Sequence, residues 1–419
     1  MRSVIKVLIM AVVLLNITSL YAQQKKNILF IMVDDLKPTI KVFGDNFAKT
    51  PVMDKLASTG FVFQSNYVQQ AVCAPSRASV MTGWRPDRTQ VTDLHTLIRD
   101  KNPNVVTMPQ YFKQNGYITF ATGKIYDPRS VDKKYDPQSW SFPYRGPHEL
   151  EGSMGDPIIG YYQSEEHRAQ RLVYEKMADA KGLTGKKRNA FLRKSFKPST
   201  EKADVPDDAY YDGRIANDAV KKIAEFAKQD QPFMLMVGFK RPHLPFVAPS
   251  KYWDLYDPKK IKLAKYQKHS KGGPEIAYHN SGELRSYTDI PAAFDEYGIL
   301  DEDKQRELIH GYYAATSYVD AQIGKVIAEL KKQGLDKNTI IVLWGDHGWH
   351  LGDHGLWCKH TNFEQATRSP LIIIDPSKKP GESYTPMESL DLFPTLCELT
   401  GIAPEPTSQG ISLVPLLDG

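Results

Sequence analysis

Residues 27–35 read NILFIMVDD, in which six apolar residues follow Asn27 and two carboxylates follow at once. A short, unbroken apolar run bounded by polar residues predicts a strand that is buried on both faces of a sheet. In folds with parallel strands, ligands bind beyond the carboxyl ends of the strands. Asp34 and Asp35 are therefore placed where a binding site is expected.

The rest of the chain repeats this pattern, with apolar runs alternating with segments of helical period. Predicted strands cover residues 27–33, 61–63, 117–121, 233–239, 339–344 and 370–374, and predicted helices cover residues 52–59, 108–115, 217–228, 307–333 and 389–400. The alternation predicts an α/β protein with a mainly parallel central sheet flanked by helices.

Two long segments, residues 127–206 and 245–300, are polar, are interrupted by Pro and Gly and show little sustained periodicity. We interpret them as excursions that gather over the carboxyl ends of the strands. Disordered or decorative insertions are the alternative for each.

The composition excludes several classes of protein. The 419 residues contain 54 Lys plus Arg and 49 Asp plus Glu, a net charge of +5 that gives no large single-sign field for a nucleic-acid partner. With 41% hydrophobic and 25% charged residues, the chain is not a disordered tail. Three cysteines, Cys73, Cys358 and Cys397, do not make a disulfide scaffold, and their odd number leaves at least one unpaired.

The first 22 residues have the layout of a secretory signal: Arg2 and Lys6, an apolar run over residues 7–15, and a cleavage site after Ala22. Residues 23–419 are then expected to form a secreted or periplasmic catalytic domain without stable membrane insertion. An uncleaved N-terminal anchor is the alternative.

A second acidic cluster, Asp346-His347, follows the predicted strand 339–344. Carboxylates that meet at one edge of a parallel sheet repel one another unless a cation neutralises them, and oxygen ligands favour Ca²⁺ or Mg²⁺. A helix cap is the alternative for Asp34 and Asp35.

The most specific motif is CAPSR at residues 73–77, which fits the pattern Cys-x-Pro-x-Arg. On this motif the chain resembles the type I sulfatase family. A buried structural cysteine before a helix is the alternative for Cys73.

Further segments carry the resemblance in the order the family has them: VDDLKP at 33–38, QAV at 70–72, GKIY at 123–126, GFKRPHLPF at 238–246, DHGW at 346–349 and GDHGLWCK at 352–359. The likeness runs from Asn27 to about Pro415 and is strongest to the iduronate-2-sulfatase branch. His347, where many sulfatases have Asn, is one reason.

The resemblance implies an alkaline-phosphatase-like fold and a Cys73 that a maturation enzyme oxidises to formylglycine. It also implies a calcium ion held by this residue together with Asp34, Asp35, Asp346 and His347. The hydrated aldehyde attacks sulfur, and the sulfated enzyme intermediate then collapses to release sulfate.

The same resemblance assigns the surrounding side chains. Arg77 steadies the hydrate, Lys124 and Lys359 hold the sulfate oxygens, and His243 protonates the bridging oxygen. The expected substrate is a sulfated oligosaccharide or polysaccharide, with the 2-O-sulfate of a uronic acid favoured.

These assignments agree with elementary chemistry, because a sulfate monoester is an anion with a poor leaving group and needs positive charge, a strong nucleophile and a proton donor. Without the resemblance, Lys124 and Lys359 are ordinary solvated charges. His350 and His354 suggest zinc by their spacing to His347, but oxygen-rich ligation favours calcium and leaves them structural roles.

Two features depart from the family. Asp127 stands where the family places a His thought to take the proton of the hydrate; Asp127 is able to accept a proton but not to act as a cationic donor. The chain also ends at Gly419, before the usual small C-terminal antiparallel subdomain, which is expected to be missing or incomplete.

Two other functions stay open. A phosphomonoesterase or phosphodiesterase of the same superfamily shares the metal-binding Asp and His residues but uses Ser or Thr as nucleophile, which Cys73 disfavours. A catalytically silent glycan-binding protein would keep Cys73 unconverted.

Overall fold

The computed structural model describes residues 25–147, 149–150, 162–291 and 299–419. Within them, one central sheet has seven strands: β1 (Asn27–Val33), β2 (Phe61–Phe63), β3 (Ile118–Gly123), β4 (Phe233–Phe239), β5 (Thr339–Gly345), β6 (Leu371–Ile374) and β7 (Gly381–Ser383). The signal segment predicted for residues 1–22 lies outside the described residues.

The strand order in the sheet is β7-β2-β6-β5-β1-β4-β3. Strands β5, β1, β4 and β3 are consecutive parallel neighbours, whereas β6 runs antiparallel to both β5 and β2. The predicted mainly parallel sheet is confirmed. Since β1 lies between β5 and β4, the carboxyl ends of four adjacent strands share one edge.

Helices cover both faces of the sheet. The longer ones are α1 (Pro51–Thr59), α2 (Cys73–Thr82), α3 (Met108–Gln114), α4 (Glu165–Ala180), α5 (Gly185–Ser195), α6 (Tyr211–Phe226), α7 (Glu302–Lys332) and α8 (Leu392–Leu399). Single-turn helices are Pro86–Thr89, Ile98–Lys101, Ser250–Trp253, Gly282–Arg285, Glu364–Thr367 and Val414–Asp418. Three two-stranded ribbons pair Asn66–Tyr67 with Met387–Glu388, Thr200–Ala203 with Phe246–Pro249, and His350–Leu351 with Trp357–Cys358.

The alternation of side chains along β1 divides the core into two layers. Phe30 and Met32 belong to a cluster with α2, α3 and α8, while Leu29 and Ile31 belong to a cluster with α1, α6 and α7. All seven residues of β1 are buried. Burial on both faces explains why the strand is apolar throughout rather than alternating.

Part of the excursion over residues 127–206 is more regular than we predicted, since it contains α4 and α5. The prediction of little periodicity failed there because these helices bury very few side chains: α4 buries Arg171 and Ala178, and α5 buries Leu192. A helix that contributes so little to a core has no strong apolar stripe to detect.

Two predicted helices begin earlier in the structure. α6 starts at Tyr211, where the backbone N–H of Gly213 donates to the Tyr318 hydroxyl at 2.7 Å. α7 starts at Glu302, where the Asp301 side chain accepts from the Lys304 N–H at 2.9 Å. In both cases polar contacts rather than apolar period define the first turn.

All three cysteines are buried and unpaired. None of the helices in the described part of the chain combines the length and the apolar character that crossing a bilayer requires.

Candidate active site

The carboxylate cluster is built by the ends of β1 and β5. Asp34 and Asp35 follow β1, Asp346 follows β5, and the Asp35 N–H donates to the Asp346 carboxylate at 2.8 Å. Asp35 has a φ of 60°, a left-handed conformation that turns the chain sharply after the strand. The three carboxylates are buried, so the sheet brings negative charges together where water does not screen them.

The electrostatics of the two neighbours differ. Burial alone would raise the pKa of Asp34, but Lys124 and Arg77 hold it well below its usual value. Burial raises the pKa of Asp35 well above its usual value, although Lys359 opposes this. Both carboxylates contact cations, but only at Asp34 do these outweigh burial, so an additional positive charge would stabilise the ionised form of Asp35.

Cys73 lies at the first position of α2, with its thiol facing the cluster. Its Sγ is 3.3 Å from Nε2 of His347 and 3.8 Å from a carboxylate oxygen of Asp35. Burial, and next the negative charge of Asp34, raise the pKa of the thiol well above its usual value. An unmodified Cys73 is therefore a protonated and weakly reactive thiol.

Arg77, one turn further along α2, holds the cluster together. Its guanidinium donates to Asp34 at 3.0 Å, to Asp346 at 2.9 Å and to the carbonyl of Ile125 at 2.9 Å. These contacts with two carboxylates and a backbone oxygen match the planar fork of an Arg side chain. The spacing of Cys73 and Arg77 thus places thiol and guanidinium in one cluster, the thiol beside Asp35 and the guanidinium on Asp34 and Asp346.

The donor set fits a hard divalent cation. One ligand atom from each of Asp35, Cys73, Asp346 and His347 lies within 4.8 Å of the others, and so does one from each of Asp34, Asp35, Cys73 and His243. Nδ1 of His347 is 2.9 Å from the carbonyl of Gly348, which as acceptor fixes the proton on Nδ1. Nε2, 3.3 Å from Asp35, is left with a lone pair directed at the cluster.

Lys124 follows β3 and extends to the same carboxylates. Its Nζ is 2.6 Å from Asp34 and 3.7 Å from Asp127, and although burial opposes its charged form, Asp34 raises the pKa of Lys124 above its usual value. The preceding Gly123 has a φ of 84°, and a Cβ there would lie 2.1 Å from the carbonyl oxygen of Gly238 on β4. This close approach of β3 and β4 sets the position of Lys124.

Lys359 and His243 both lie near Asp35, the second carboxylate after β1. Lys359 Nζ lies 2.9 Å from both Asp35 oxygens and 4.9 Å from the centre of the Trp349 ring. His243 follows β4, and its Nε2 lies 3.8 Å from Asp35. Burial and the charge of Lys359 lower the pKa of His243 well below its usual value.

The sequence analysis did not identify Glu283, which contacts both of these groups. One carboxylate oxygen lies 3.2 Å from Nε2 of His243, and the other lies 3.2 Å from Nζ of Lys359. Although burial opposes the change, Lys359 and His243 lower the pKa of Glu283 to about 2. No motif marks this residue, since it belongs to a single-turn helix inside a polar excursion, and only the folding of that excursion over the sheet edge reveals it.

Asp127, the residue that departs from the family, is buried and paired with Arg129 through two contacts of 2.8 and 2.9 Å. Burial opposes ionisation, but Arg129 and Lys124 hold the pKa of Asp127 below its usual value. The sequence analysis also did not identify Arg129, although its position two residues after Asp127 allowed this contact to be predicted.

These residues surround a cavity of about 600 Å³. Of the predicted site residues, six line it: Asp34, Cys73, Lys124, Asp127, His243 and Lys359. The others, Asp35, Arg77, Asp346 and His347, lie behind them as buried partners. His350 is occupied elsewhere, with Nε2 2.8 Å from the Thr361 hydroxyl and Nδ1 facing Asp353, so its role is structural.

Comparisons with known proteins agree with this geometry. A profile of the sulfatase family matches residues 26–402. The chain is 35% identical to iduronate 2-sulfatase of Mus musculus over 410 residues, covering 91% of this chain and 69% of that protein. It is also 35% identical to iduronate 2-sulfatase of Homo sapiens over 400 residues, covering 93% of this chain and 67% of that protein.

Solved structures confirm the alkaline-phosphatase-like fold. A phosphonate monoester hydrolase from Silicibacter pomeroyi superposes with a TM-score of 0.67 at 25% identity, covering 94% of this chain and 77% of that chain. A protein solved in complex with its substrate D-glucosamine-2-N,6-O-disulfate gives a TM-score of 0.69 at 20% identity, covering 94% and 80%. The family match over residues 26–402 and the two relatives at 35% identity show that this chain belongs to the sulfatase family and is a sulfatase, a hydrolase of sulfate esters.

Proposed function

We propose that this sulfatase removes the 2-O-sulfate of a uronic acid in a sulfated oligosaccharide or polysaccharide of the glycosaminoglycan type. The observation that carries the proposal is the position of Cys73. Its Sγ lies within 4 Å of both Asp35 and His347, in a cavity lined by the cationic side chains of Lys124 and Lys359. Such a cavity attracts an anionic ester and presents residue 73 to it.

The proposal includes the conversion of Cys73 to formylglycine. A buried thiol with a raised pKa is a poor nucleophile at neutral pH. When formed, the hydrated aldehyde supplies one hydroxyl to attack sulfur and a second whose deprotonation expels sulfate. The maturation enzyme that carries out this oxidation is part of the proposal.

Calcium is the proposed metal, and Asp34, Asp35, Asp346 and His347 are the proposed ligands together with residue 73. Three carboxylates and one imidazole nitrogen suit a hard, oxygen-preferring cation better than zinc. The ion would supply charge stabilisation and polarise the oxygen of residue 73. Arg77 fixes two of the carboxylates in position, and it does so through hydrogen bonds within the chain.

The cationic side chains bind the sulfate group. Lys124 contacts Asp34 and Lys359 contacts Asp35, and both keep their charge because carboxylates raise their pKa although burial opposes this. Two fixed ammonium groups stabilise the negative charge that develops on the sulfate oxygens and the leaving oxygen in the transition state.

His243 is the proposed donor of the proton to the leaving sugar oxygen. Each ring nitrogen faces an acceptor: Nδ1 lies 2.5 Å from the Leu244 carbonyl and Nε2 lies 3.2 Å from Glu283. A neutral ring can satisfy only one of these contacts with a proton. Burial and Lys359 lower the pKa of His243, whereas the negative charge of a bound sulfate ester acts in the opposite direction and favours the doubly protonated ring, which then gives up a proton as the ester bond breaks.

The choice of substrate rests on the two relatives named iduronate 2-sulfatase and on the cavity. A volume of about 600 Å³ lies in the range of small-molecule sites. Lys240 and Arg129, the latter also paired with Asp127, line the cavity as well, and their positive charges can attract a uronate carboxylate. We also propose secretion or a periplasmic location, with residues 23–419 as the catalytic domain.

Intact-mass measurement and activity test the proposal together. Protein made in a host with the maturation machinery is expected to be about 18 Da lighter at residue 73, because CH₂SH becomes CHO. It should desulfate a 2-O-sulfated uronate disaccharide. Cys73→Ala should lose this activity, whereas Cys397→Ala, a buried cysteine of α8 remote from the cavity, should retain it.

Three other outcomes would contradict the proposal. An active enzyme that keeps its sulfur quantitatively would overturn the formylglycine proposal. Hydrolysis of phosphate monoesters or diesters in preference to the sulfated sugar would favour the phosphoesterase alternative. Tight binding of the sulfated sugar without turnover, by protein with an unconverted Cys73, would favour a glycan-binding protein.

A further inference from the structure

The helical pair α4 and α5 of the first excursion carries a large excess of basic over acidic residues. Residues 162–197, which contain α4 and α5, include ten Lys and Arg residues and four Asp and Glu residues, a net charge of +6. The whole chain has a net charge of +5. A second segment, residues 258–274, has six Lys and no Asp or Glu and also carries +6, but none of its residues lines the catalytic cavity.

The basic residues of α5 share one side of the helix. At about 100° per residue, Lys186, Lys187, Arg193 and Lys194 fall within an arc of about 120°, and Leu192 points to the other side. All four are exposed, whereas Leu192 is buried against α4. We call these four residues the basic stripe.

The basic stripe is not neutralised by its own helix. α5 has the sequence GKKRNAFLRKS and contains no acidic residue. Arg188, outside the stripe, pairs with Asp179 of α4 at 3.2 Å, but no described carboxylate lies within ion-pair distance of a stripe residue. Four like charges on about two and a half turns of helix repel one another, so an anionic partner stabilises this surface.

The stripe leads into the catalytic cavity. Arg193, at its C-terminal end, lines the cavity together with Phe196 and Lys197. Lys197 is anchored there, because its Nζ donates to the Ser286 hydroxyl at 2.7 Å and lies 4.0 Å from the centre of the Tyr287 ring. A continuous path of positive charge therefore runs from the outer end of α5 to the cavity that contains Cys73.

We infer that the basic stripe is an exosite for the sulfated chain, binding anionic groups of sugars beyond the one in the cavity. The inference rests on the proposed function and adds that the substrate is an extended polyanion rather than a small sulfate ester. Exposed charges contribute by long-range attraction that salt screens, so the exosite should raise the affinity for long chains chiefly at low ionic strength.

The test compares chain lengths. The mature enzyme and the triple variant Lys186→Glu, Lys187→Glu, Lys194→Glu are assayed on a 2-O-sulfated uronate disaccharide and on a dodecasaccharide of the same repeat, at low and at high salt. A matched control carries Lys55→Glu, Lys337→Glu and Lys379→Glu, three exposed lysines elsewhere that give the same change in net charge.

In the wild-type enzyme we expect the KM for the dodecasaccharide to be lower than that for the disaccharide, and the difference to shrink at high salt. At low salt the triple variant should raise the KM for the dodecasaccharide about tenfold or more. It should change kcat/KM for the disaccharide by a smaller factor than kcat/KM for the dodecasaccharide. The matched control should change the two substrates equally. Circular dichroism should show that both variants keep the fold.

Three results would overturn the inference while leaving the proposed function intact: turnover of the disaccharide without any advantage for the dodecasaccharide, an equal effect of both triple variants, or equally tight binding of duplex DNA and the sulfated dodecasaccharide to the Cys73→Ala protein. Failure to desulfate either sugar when residue 73 is converted would instead contradict the proposed function.

Discussion

One carboxylate oxygen of Glu283 lies 3.2 Å from Nε2 of His243. The other oxygen of the same carboxylate lies 3.2 Å from Nζ of Lys359. A single buried anion thus orients the proposed proton donor and one of the proposed sulfate-binding cations. Because the pKa of Glu283 is lowered to about 2, this anion keeps its charge over the whole working pH range.

Glu283→Gln should therefore impair turnover more than binding. We expect kcat to fall about 10- to 100-fold, since a misplaced acid forfeits part of the contribution of general acid catalysis. Loss of the negative charge also lowers the pKa of His243 further, so the limb of the pH profile on which activity falls with rising pH should move to lower pH. Steady-state kinetics between pH 5 and about 8 measures both effects.

Glu275→Gln, an exposed residue of the same excursion, is the matched control and should leave kcat and the pH profile unchanged. Glu283→Asp should recover part of the activity because it restores the charge. Equal kinetics of Glu283→Gln and the wild-type enzyme would show that this carboxylate does not position His243.

Asp127→Asn tests whether Asp127 accepts the proton that the family's His is thought to take. Arg129 and Lys124 hold the pKa of Asp127 below its usual value, so the carboxylate stays ionised at neutral pH and is a weak base. Loss of a general base costs about 10²- to 10⁴-fold. Because Asp127 is too weak a base for that role, we expect kcat to fall by less than about tenfold. A loss above a hundredfold, with the change confined to release of sulfate in single-turnover experiments, would instead identify Asp127 as the proton acceptor.

Calcium should stabilise the protein against heat. A ligand at a hundredfold excess over its Kd stabilises the native state by about 2.7 kcal/mol, which calorimetry detects as a rise in Tm. A chelator should lower both Tm and activity, and added Ca²⁺ should restore them. Asp346→Asn should abolish the response, whereas Asp100→Asn, an exposed acidic residue, should keep it. A response to Zn²⁺ but not to Ca²⁺ would contradict the proposed metal.

Asp320 joins two helices without contacting the site. From α7, its carboxylate accepts the backbone N–H of Val52 at 3.1 Å and of Met53 at 2.7 Å, at the first turn of α1. Asp320→Ala leaves the buried Met53 N–H and the half-buried Val52 N–H unpaired and should lower the free energy of unfolding by about 1–3 kcal/mol, with kcat unchanged. Lys331→Ala, exposed on the same helix, should change it by less than about 0.5 kcal/mol. Denaturant titration distinguishes the two.

Prediction from sequence succeeded where the local pattern is strong. The strand of residues 27–33 is apolar throughout, and its bounds in the structure agree with the prediction. Prediction failed for the helices α4 and α5, because helices that bury so few side chains leave no apolar period in the sequence. The motif around Cys73 identified the family without any structural information.

The apolar strands, the carboxylates at the ends of two of them and the Cys-x-Pro-x-Arg motif were predictable from the sequence, because each depends on residues close together in the chain. Two other features depend on the folded chain: Glu283 contacts His243 and Lys359, and the basic stripe of α5 leads to the cavity that contains Cys73. These contacts could not be predicted because the polar excursions are positioned by contacts with the sheet edge and not by their own periodicity. A polar segment folded in this way carries no local signal of what it will touch.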